Sequence, residues 1–336
     1  MAATIREVAR KAGVTIGTVS RVFNHYPDVS PETKKKVFSA AKTLNYVPNA
    51  NARSLSAKKP PNLCFIASSL LHGDDRDSML YLLIKGIIQY ATAHQLEFRL
   101  YSTDSSAQDQ QSFTDFCKLH AISGAIVCGV KIDDPYFCEL VDSGIPVVGI
   151  DIPLEGEHAG WISVDNTAAV AEAVSLLFAK GFERLMIAAG KQRAAVNQMR
   201  LEGVYQAFLQ AGRTLSDDQI IFGDFNEDVA FEKTARWLES HPAPDAVFCF
   251  SDIMALGVLK ALRKAGLRVP EDVSVMGFDG MPFTSLTTPT LSTVHQPMQR
   301  MGYEAARMVH EMMQEQELKS HHRIIPYEIV LRESVR

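Results

Sequence analysis

The chain has 336 residues, 46% of them apolar and 22% charged. These are globular proportions, which exclude disorder, collagen-like and low-complexity architectures, and the length is that of two or three domains. The net charge of −5 hides an asymmetry, because residues 1–60 hold eleven Lys/Arg against three Asp/Glu while the remainder holds 23 against 36. A small basic head on a large acidic body points to a polyanion-binding module joined to something that must not bind polyanions. No apolar run reaches the ~20 residues needed to span a bilayer. The N-terminus lacks the apolar stretch of a secretory signal, so a cytoplasmic, membrane-free protein is expected. Five cysteines, an odd number without metal spacing and mostly in apolar runs, read as buried reduced thiols.

In the head, Thr4-Ile5-Arg6-Glu7 has the form of a capping box. Ile5, Val8, Ala9 and Ala12 follow at helical spacing, and Gly13 ends the helix. Thr15 can cap a second helix from Ile16 to about Phe23, with Val19 and Val22 facing inward. Helix, short glycine turn, helix is a helix-turn-helix. Ser30-Pro31-Glu32 opens a third helix with Val37, Ala40, Ala41 and Leu44 inside and Lys34, Lys35, Lys36 and Lys42 outside.

Such a second helix lies in the DNA major groove. It would present Thr15, Ile16, Gly17, Ser20, Arg21 and Asn24 near its start and outer face. Arg21 is the candidate base reader, since a guanidinium donates two bonds to guanine O6 and N7; a surface ion pair is the alternative. Ile16 fits a thymine methyl. Thr15, Thr18, Ser20 and Asn24 suit phosphate oxygens, and Thr4, Asn49 and Arg53 join this DNA-facing set. Residues 50–57, Ala-rich with one leucine, are too short to be a stable isolated helix. Held on DNA they would form a hinge helix whose Leu55 wedges into the minor groove; a plain linker ending at Lys58-Lys59-Pro60-Pro61 is the alternative.

From Leu63 onward short apolar runs alternate with amphipathic helices. Strand-type runs are Leu63–Ala67, Phe98–Tyr101, Ala125–Cys128, Val147–Ile150, Leu185–Ala189, Ile220–Phe222, Ala246–Phe250 and Val273–Gly277. Helical patterns include Met79–His94, Ala168–Lys180, Val196–Ala211, Val229–Ser240 and Met254–Ala265. The alternation predicts parallel sheets covered by helices, in two Rossmann-like lobes with a ligand cleft where strand C-ends meet. No dinucleotide fingerprint follows any strand. Gly190-Lys191 resembles only the end of a phosphate loop, so no nucleotide cofactor and no enzyme is expected. Asp74-Asp75-Arg76-Asp77 reads as a solvated loop and His321-His322 as a polar turn before the last strand, neither binding metal. Met308–Met313 reads as core or subunit packing.

The run Thr4 to Asn24, Val29-Ser30-Pro31-Glu32-Thr33 and Leu44-Asn45-Tyr46-Val47-Pro48-Asn49 closely resembles the head of the lactose/galactose repressor family, and the likeness continues to Arg332-Glu333-Ser334. The resemblance implies an all-α helix-turn-helix head (residues 1–47), a hinge helix (48–60) and a periplasmic-binding-protein-like α/β body (61–336), with chain crossings about residues 161 and 293. It implies that Arg21 reads a base, that Ile16 and Gly17 set operator preference, and that Leu55 intercalates. Gly17 stands where relatives carry a side chain.

In the body the resemblance places a small-molecule effector on Arg200, Ser251, Asp252 and Asp279, with Phe225 stacking on it and Ser68, Ser69 and the region of Asp77 contributed by the first lobe. A carboxylate accepts sugar hydroxyls, a guanidinium fork donates to neighbouring oxygens, and a flat ring covers a pyranose face. The alternatives are a structural ion pair for Arg200 and Asp279, core packing for Phe225 and a helix cap for Asp252. The expected protein is a homodimeric repressor of carbohydrate-utilisation genes that binds a palindromic operator and is controlled by a sugar-type effector. A corepressor-dependent regulator answering to a purine, phosphosugar or phosphoprotein is the runner-up.

Overall fold

The computed structural model describes residues 4–23, 26, 29–44, 61–68, 78–131, 134–314 and 321–336. It divides into two units, Met1–Pro60 and Pro61–Arg336.

In the first unit, α1 (Ile5–Ala12) begins in the expected capping box. The Glu7 N–H donates to Thr4 Oγ1 at 3.4 Å and the Thr4 N–H to the Glu7 carboxylate at 2.7 Å. Gly13 ends it at φ +68°, a left-handed conformation that costs glycine little. Thr15 caps α2 (Ile16–Phe23) by accepting the Thr18 N–H at 3.1 Å. Ser30 caps α3 (Pro31–Thr43). Val8, Ala9, Val19, Val22, Val37, Ala40 and Ala41 close over one another as its core, and Phe23 meets Phe38 edge to face at 5.5 Å.

The second unit holds two six-stranded sheets. The first is built from β1 (Asn62–Ser68), β2 (Glu97–Thr103), β3 (Gly124–Cys128), β4 (Val147–Ile150), β5 (Ala159–Ser163) and β11 (His322–Ile324), in the order β11-β5-β4-β3-β1-β2. The second is built from β6 (Leu185–Ala189), β7 (Ile220–Phe222), β8 (Ala246–Cys249), β9 (Ser274–Asp279), β10 (Ser292–His295) and β12 (Glu328–Val330), in the order β12-β10-β9-β8-β6-β7. Among the described residues the strand pairings are parallel except β10 with β12. Both sheets thus repeat one winding, and both have a switch point beside their first strand, where ligands of open α/β sheets bind. Parallel strands covered on both faces read as unbroken apolar runs, which is why β3, β4, β6 and β8 are wholly buried.

Between the strands lie α4 (Ser78–Ala93), α5 (Ser105–Gln110), α6 (Phe113–Leu119), α7 (Pro135–Asp142), α8 (Asn166–Ala179), α9 (Ala195–Gln210), α10 (Glu227–Ser240), α11 (Asp252–Lys264) and α12 (Met298–Met313). The chain passes between the sheets three times: after Ser163, after His295 and between Ile324 and Glu328. The two expected crossing points fall inside β5 and β10, and the third crossing was not anticipated. One core runs through both lobes, joining Leu63 and Ile126 of the first sheet to Leu185 and Phe248 of the second. Helices α4 and α12 meet at backbone distance: a Cβ on Gly86 would lie 1.9 Å from the Gln299 carbonyl oxygen, and one on Gly302 would lie 2.1 Å from that of Leu83. Met308 and Met312 of α12 are buried as core, against Gly160 of β5.

Two local expectations are corrected. Cys138 is exposed on α7, whereas the other four cysteines are buried. His322 opens β11 instead of lying in a turn, pairing with Trp161 of β5 and stacking on its ring at 5.4 Å. Among the described residues no helix is long and apolar enough to cross a membrane.

Candidate DNA-reading surface and effector site

On the first unit, α2 turns Val19 and Val22 into the core, which forces the opposite face outward. Thr15, Ile16, Gly17 and Arg21 are exposed, and Thr18 and Ser20 are half-buried. Ile16 is 44% exposed, an apolar side chain at the first turn of the helix, as contact with a thymine methyl requires. A Cβ on Gly17 would meet only Thr15 Oγ1, at 3.7 Å, so the fold does not demand glycine there. The hydroxyls of Thr15 and Thr18 lie 2.9 Å apart, and that of Thr4 is held by Glu7, so Thr4 and Thr15 act as caps and Thr18 bonds to the second of them. Asn24, Asn49, Arg53 and Leu55 lie outside the described residues.

In the second unit the predicted effector residues converge at the C-terminal edge of the second sheet. Arg200, on the second turn of α9, is 3% exposed. Its Nε donates to Asn166 Oδ1 at 2.9 Å, its Nη1 to the Phe250 carbonyl, and its Nη2 lies 3.7 Å from Asp279 Oδ1. The guanidinium carbon sits 3.7 Å from the Phe278 ring centroid. Asp279 ends β9 at φ +110° and accepts Gln296 Nε2 at 2.9 Å. Ser251 caps α11, accepting the Met254 N–H at 3.2 Å, which leaves its own O–H able to donate.

One of the predicted residues is engaged within the protein. Asp252 is wholly buried, and its two oxygens accept the Met281 N–H and the Thr293 hydroxyl, each at 2.7 Å. It fastens β10 and the segment after β9 to α11, so each of its oxygens already has a protein donor; the helix cap is Ser251. Phe225, half-buried at φ +56°, lays its ring on Gly190, where a Cβ would lie 2.0 Å from the ring. One face of that ring is therefore packing. Ser68 is half-buried at the end of β1. Ser69 and Asp77 lie outside the described residues.

Sequence reading missed Asp151, Ser163, Asn166 and Gln296. Asp151, directly after β4, accepts Ser163 Oγ at 2.5 Å and Asn166 Nδ2 at 3.5 Å. Asn166 thus joins a first-lobe carboxylate to the second-lobe guanidinium across a chain crossing. The available signal was an acidic residue ending an apolar strand, as in Ile150-Asp151 and again in Phe278-Asp279.

The electrostatics follow from burial. Burial pushes the Asp252 carboxyl well above its ordinary value, and the neighbouring Asp279 charge pushes it further. It also raises Asp151 against the opposing pull of Arg200. Burial lowers the Arg200 guanidinium, against the three carboxylates that hold its charge. A dry fork and carboxylates set on strand ends can exchange hydrogen bonds with a ligand's hydroxyls. A cavity of about 610 Å³ opens beside this set, lined by Gly280, His295 and Gln296 together with Leu82, Gln89 and Tyr303. Among the described residues no three His, Cys, Asp or Glu side chains are grouped to hold a metal ion.

A helix-turn-helix unit joined in one chain to a two-lobed, parallel-sheet body with a polar set at the lobe junction defines a ligand-responsive DNA-binding protein. Residues 4–49 match the bacterial regulatory proteins of the lacI family, and residues 174–335 match the periplasmic binding protein-like domain. The chain is 31% identical over 308 residues to the HTH-type transcriptional regulator CelR of Thermobifida fusca, covering 91% of this chain and 90% of that protein. It is 30% identical to catabolite control protein A of Priestia megaterium, covering 100% of both. Among solved structures it is similar to a CelR–cellobiose complex (TM-score 0.73, 28% identity, 99% of each chain). It is also similar to the Lac repressor bound to ONPG in the repressed state (TM-score 0.86, 25% identity, 100% of each chain). The chain belongs to the lacI family of bacterial regulatory proteins, and it is a transcriptional regulator.

Proposed function

We propose that this regulator represses carbohydrate-utilisation genes and that an uncharged sugar, bound where Asp151, Arg200, Ser251 and Asp279 converge, changes its affinity for operator DNA. The observation that carries the reading is the buried Arg200, linked through Asn166 to the first-lobe Asp151 and set 3.7 Å from the second-lobe Asp279. A ligand seated there touches both lobes, so it can favour one lobe arrangement over another. Moving such a switch from 1:99 to 99:1 takes about 5.5 kcal/mol of differential affinity, within reach of several buried hydrogen bonds. The Asp279 carboxylate beside the single guanidinium accepts from hydroxyls and repels a phosphate, which favours a neutral polyol over a phosphosugar. The similar CelR structure holds cellobiose.

The reader residues of this proposal are Arg21, Ile16 and Gly17, with Thr15, Thr18 and Ser20 toward phosphates. The protein works as a dimer on a palindrome. Tyr81 (66% exposed) and Ile88 (43%), seven residues apart on one face of α4, and Leu100 (42%) on edge strand β2 leave apolar surface for a second copy.

The test is thermal unfolding of the full chain with monosaccharides, disaccharides and their phosphates, followed by titration on its own promoter segment. A neutral sugar is expected to raise the melting temperature, by mass action on the native state, and to shift DNA affinity. Release marks an inducer and tightening a corepressor. Asp279→Asn is expected to lose the sugar response while holding DNA as before. A response confined to phosphorylated compounds, or an unchanged dose curve for the variant, overturns the proposed site.

A further inference from the structure

Tyr26 touches Arg21 twice. Its backbone N–H donates to the Arg21 carbonyl at 3.1 Å, five residues back, and its ring lies under the guanidinium, with Cζ 5.1 Å from the ring centroid. Tyr26 is 46% exposed and, among the described residues, has no part in the core of the first unit. A long, exposed arginine samples many rotamers, and fixing it in one costs binding free energy whenever it must read a base. A contact through the ring face consumes none of the guanidinium N–H groups, so the fork that guanine O6 and N7 would accept is not spent by it.

We infer that Tyr26 is a positioning residue for base readout: its ring restrains the Arg21 guanidinium before DNA arrives. This rests on Arg21 being the base reader. Phenylalanine keeps the ring face and is expected to substitute for it; alanine is not.

The probes are a duplex enriched from a randomised pool by the wild-type full chain and a scrambled duplex of equal length. Tyr26→Ala is expected to weaken the enriched duplex about two- to fivefold, the equivalent of ~0.5–1 kcal/mol, and to leave the scrambled duplex unchanged. Tyr26→Phe is expected to bind both like wild type. Adding Tyr26→Ala to Arg21→Ala is expected to cost nothing further, because the tyrosine acts only through the arginine. Wild-type melting of the variants shows that the fold is kept.

Three results overturn the inference: equal loss on both duplexes, no loss with Tyr26→Ala although Arg21→Ala binds the enriched duplex weakly, or full additivity in the double variant. If Arg21→Ala itself binds the enriched duplex like wild type, base reading by Arg21 fails, and the role of Tyr26 falls with it.

Discussion

The two units treat their polar side chains in opposite ways. In the first, Thr15, Arg21 and the third-helix lysines Lys35, Lys36 and Lys42 stand in solvent, and the fully buried core among the described residues is Val and Ala. In the second, Arg200, Ser251, Asp252 and Asp279 are each at most 8% exposed. The contrast follows from the partners. A polyanion is wide and stays hydrated, so its reader must display donors on a convex surface and gain most of its affinity from released counterions. A small polyol offers few atoms, so its site must be dry for each hydrogen bond to count, and a dry site must satisfy its own charges when empty.

That contrast fixes what mutation should do in each unit, and the largest effect belongs to the body. Arg200→Ala strands Asp151, Asp252 and Asp279 around a missing cation. Removing one partner of a buried charged set costs about 3–5 kcal/mol, so urea unfolding of the variant should show that loss of stability. A variant as stable as wild type would mean that the carboxylates are neutral and the dry-site argument is wrong. In the head the sign of the comparison reverses. Arg21→Ala should leave stability unchanged yet cost about 1–3 kcal/mol on a selected duplex, relaxing one base position. Equal loss on random DNA would reduce Arg21 to a phosphate contact.

The same contrast explains what could be read from the sequence. The head was legible almost entirely, because its helices are fixed by local rules: the Thr4–Glu7 box, Gly13, the Thr15 and Ser30 caps. The buried strands were legible as apolar runs. What stayed hidden is polar and buried. β10 is Ser-Thr-Val-His, and its Ser292 and Thr293 are fully buried because their hydroxyls bond to the Arg332 carbonyl and to Asp252. No alternation or apolar run announces such a strand. The role of Asp252 was obscured for the same reason. An Asp after a Ser at a strand end has the pattern of a site, and only the positions of Met281 and Thr293, about thirty and forty residues on, show that both its oxygens are taken. Asn166 depends on a crossing whose partners come from two lobes, a relation no local pattern carries.

The smallest effect is a pH dependence, and it arises where helices of the first lobe meet. His310 Nδ1 lies 3.0 Å from the Tyr90 hydroxyl, and its ring centroid lies 5.6 Å from that of His94, which stacks on Tyr90 at 4.0 Å. Arg307 and Glu311 of α12 and Arg323 of β11 complete the charged groups around this contact. Burial holds His310 below the ordinary imidazole value of about 6.5, helped by His94 and opposed by Glu311. The unfolded chain therefore takes up a proton that the native state resists, so the contribution of His310 is whole above about pH 6.5 and is lost as pH falls below it. The raised carboxyls of Asp151 and Asp252 act with the opposite sign, since their protonated forms favour the native state and that contribution is lost as pH rises. The raw pH profile is thus a sum, and His310→Asn isolates one part of it. The difference between wild-type and variant urea midpoints should be flat above about pH 7 and should move in the variant's favour toward about pH 5. Parallel profiles would mean that α4 and α12 already accommodate the imidazolium, and that burial at this helix contact, unlike burial around Arg200, carries no electrostatic cost.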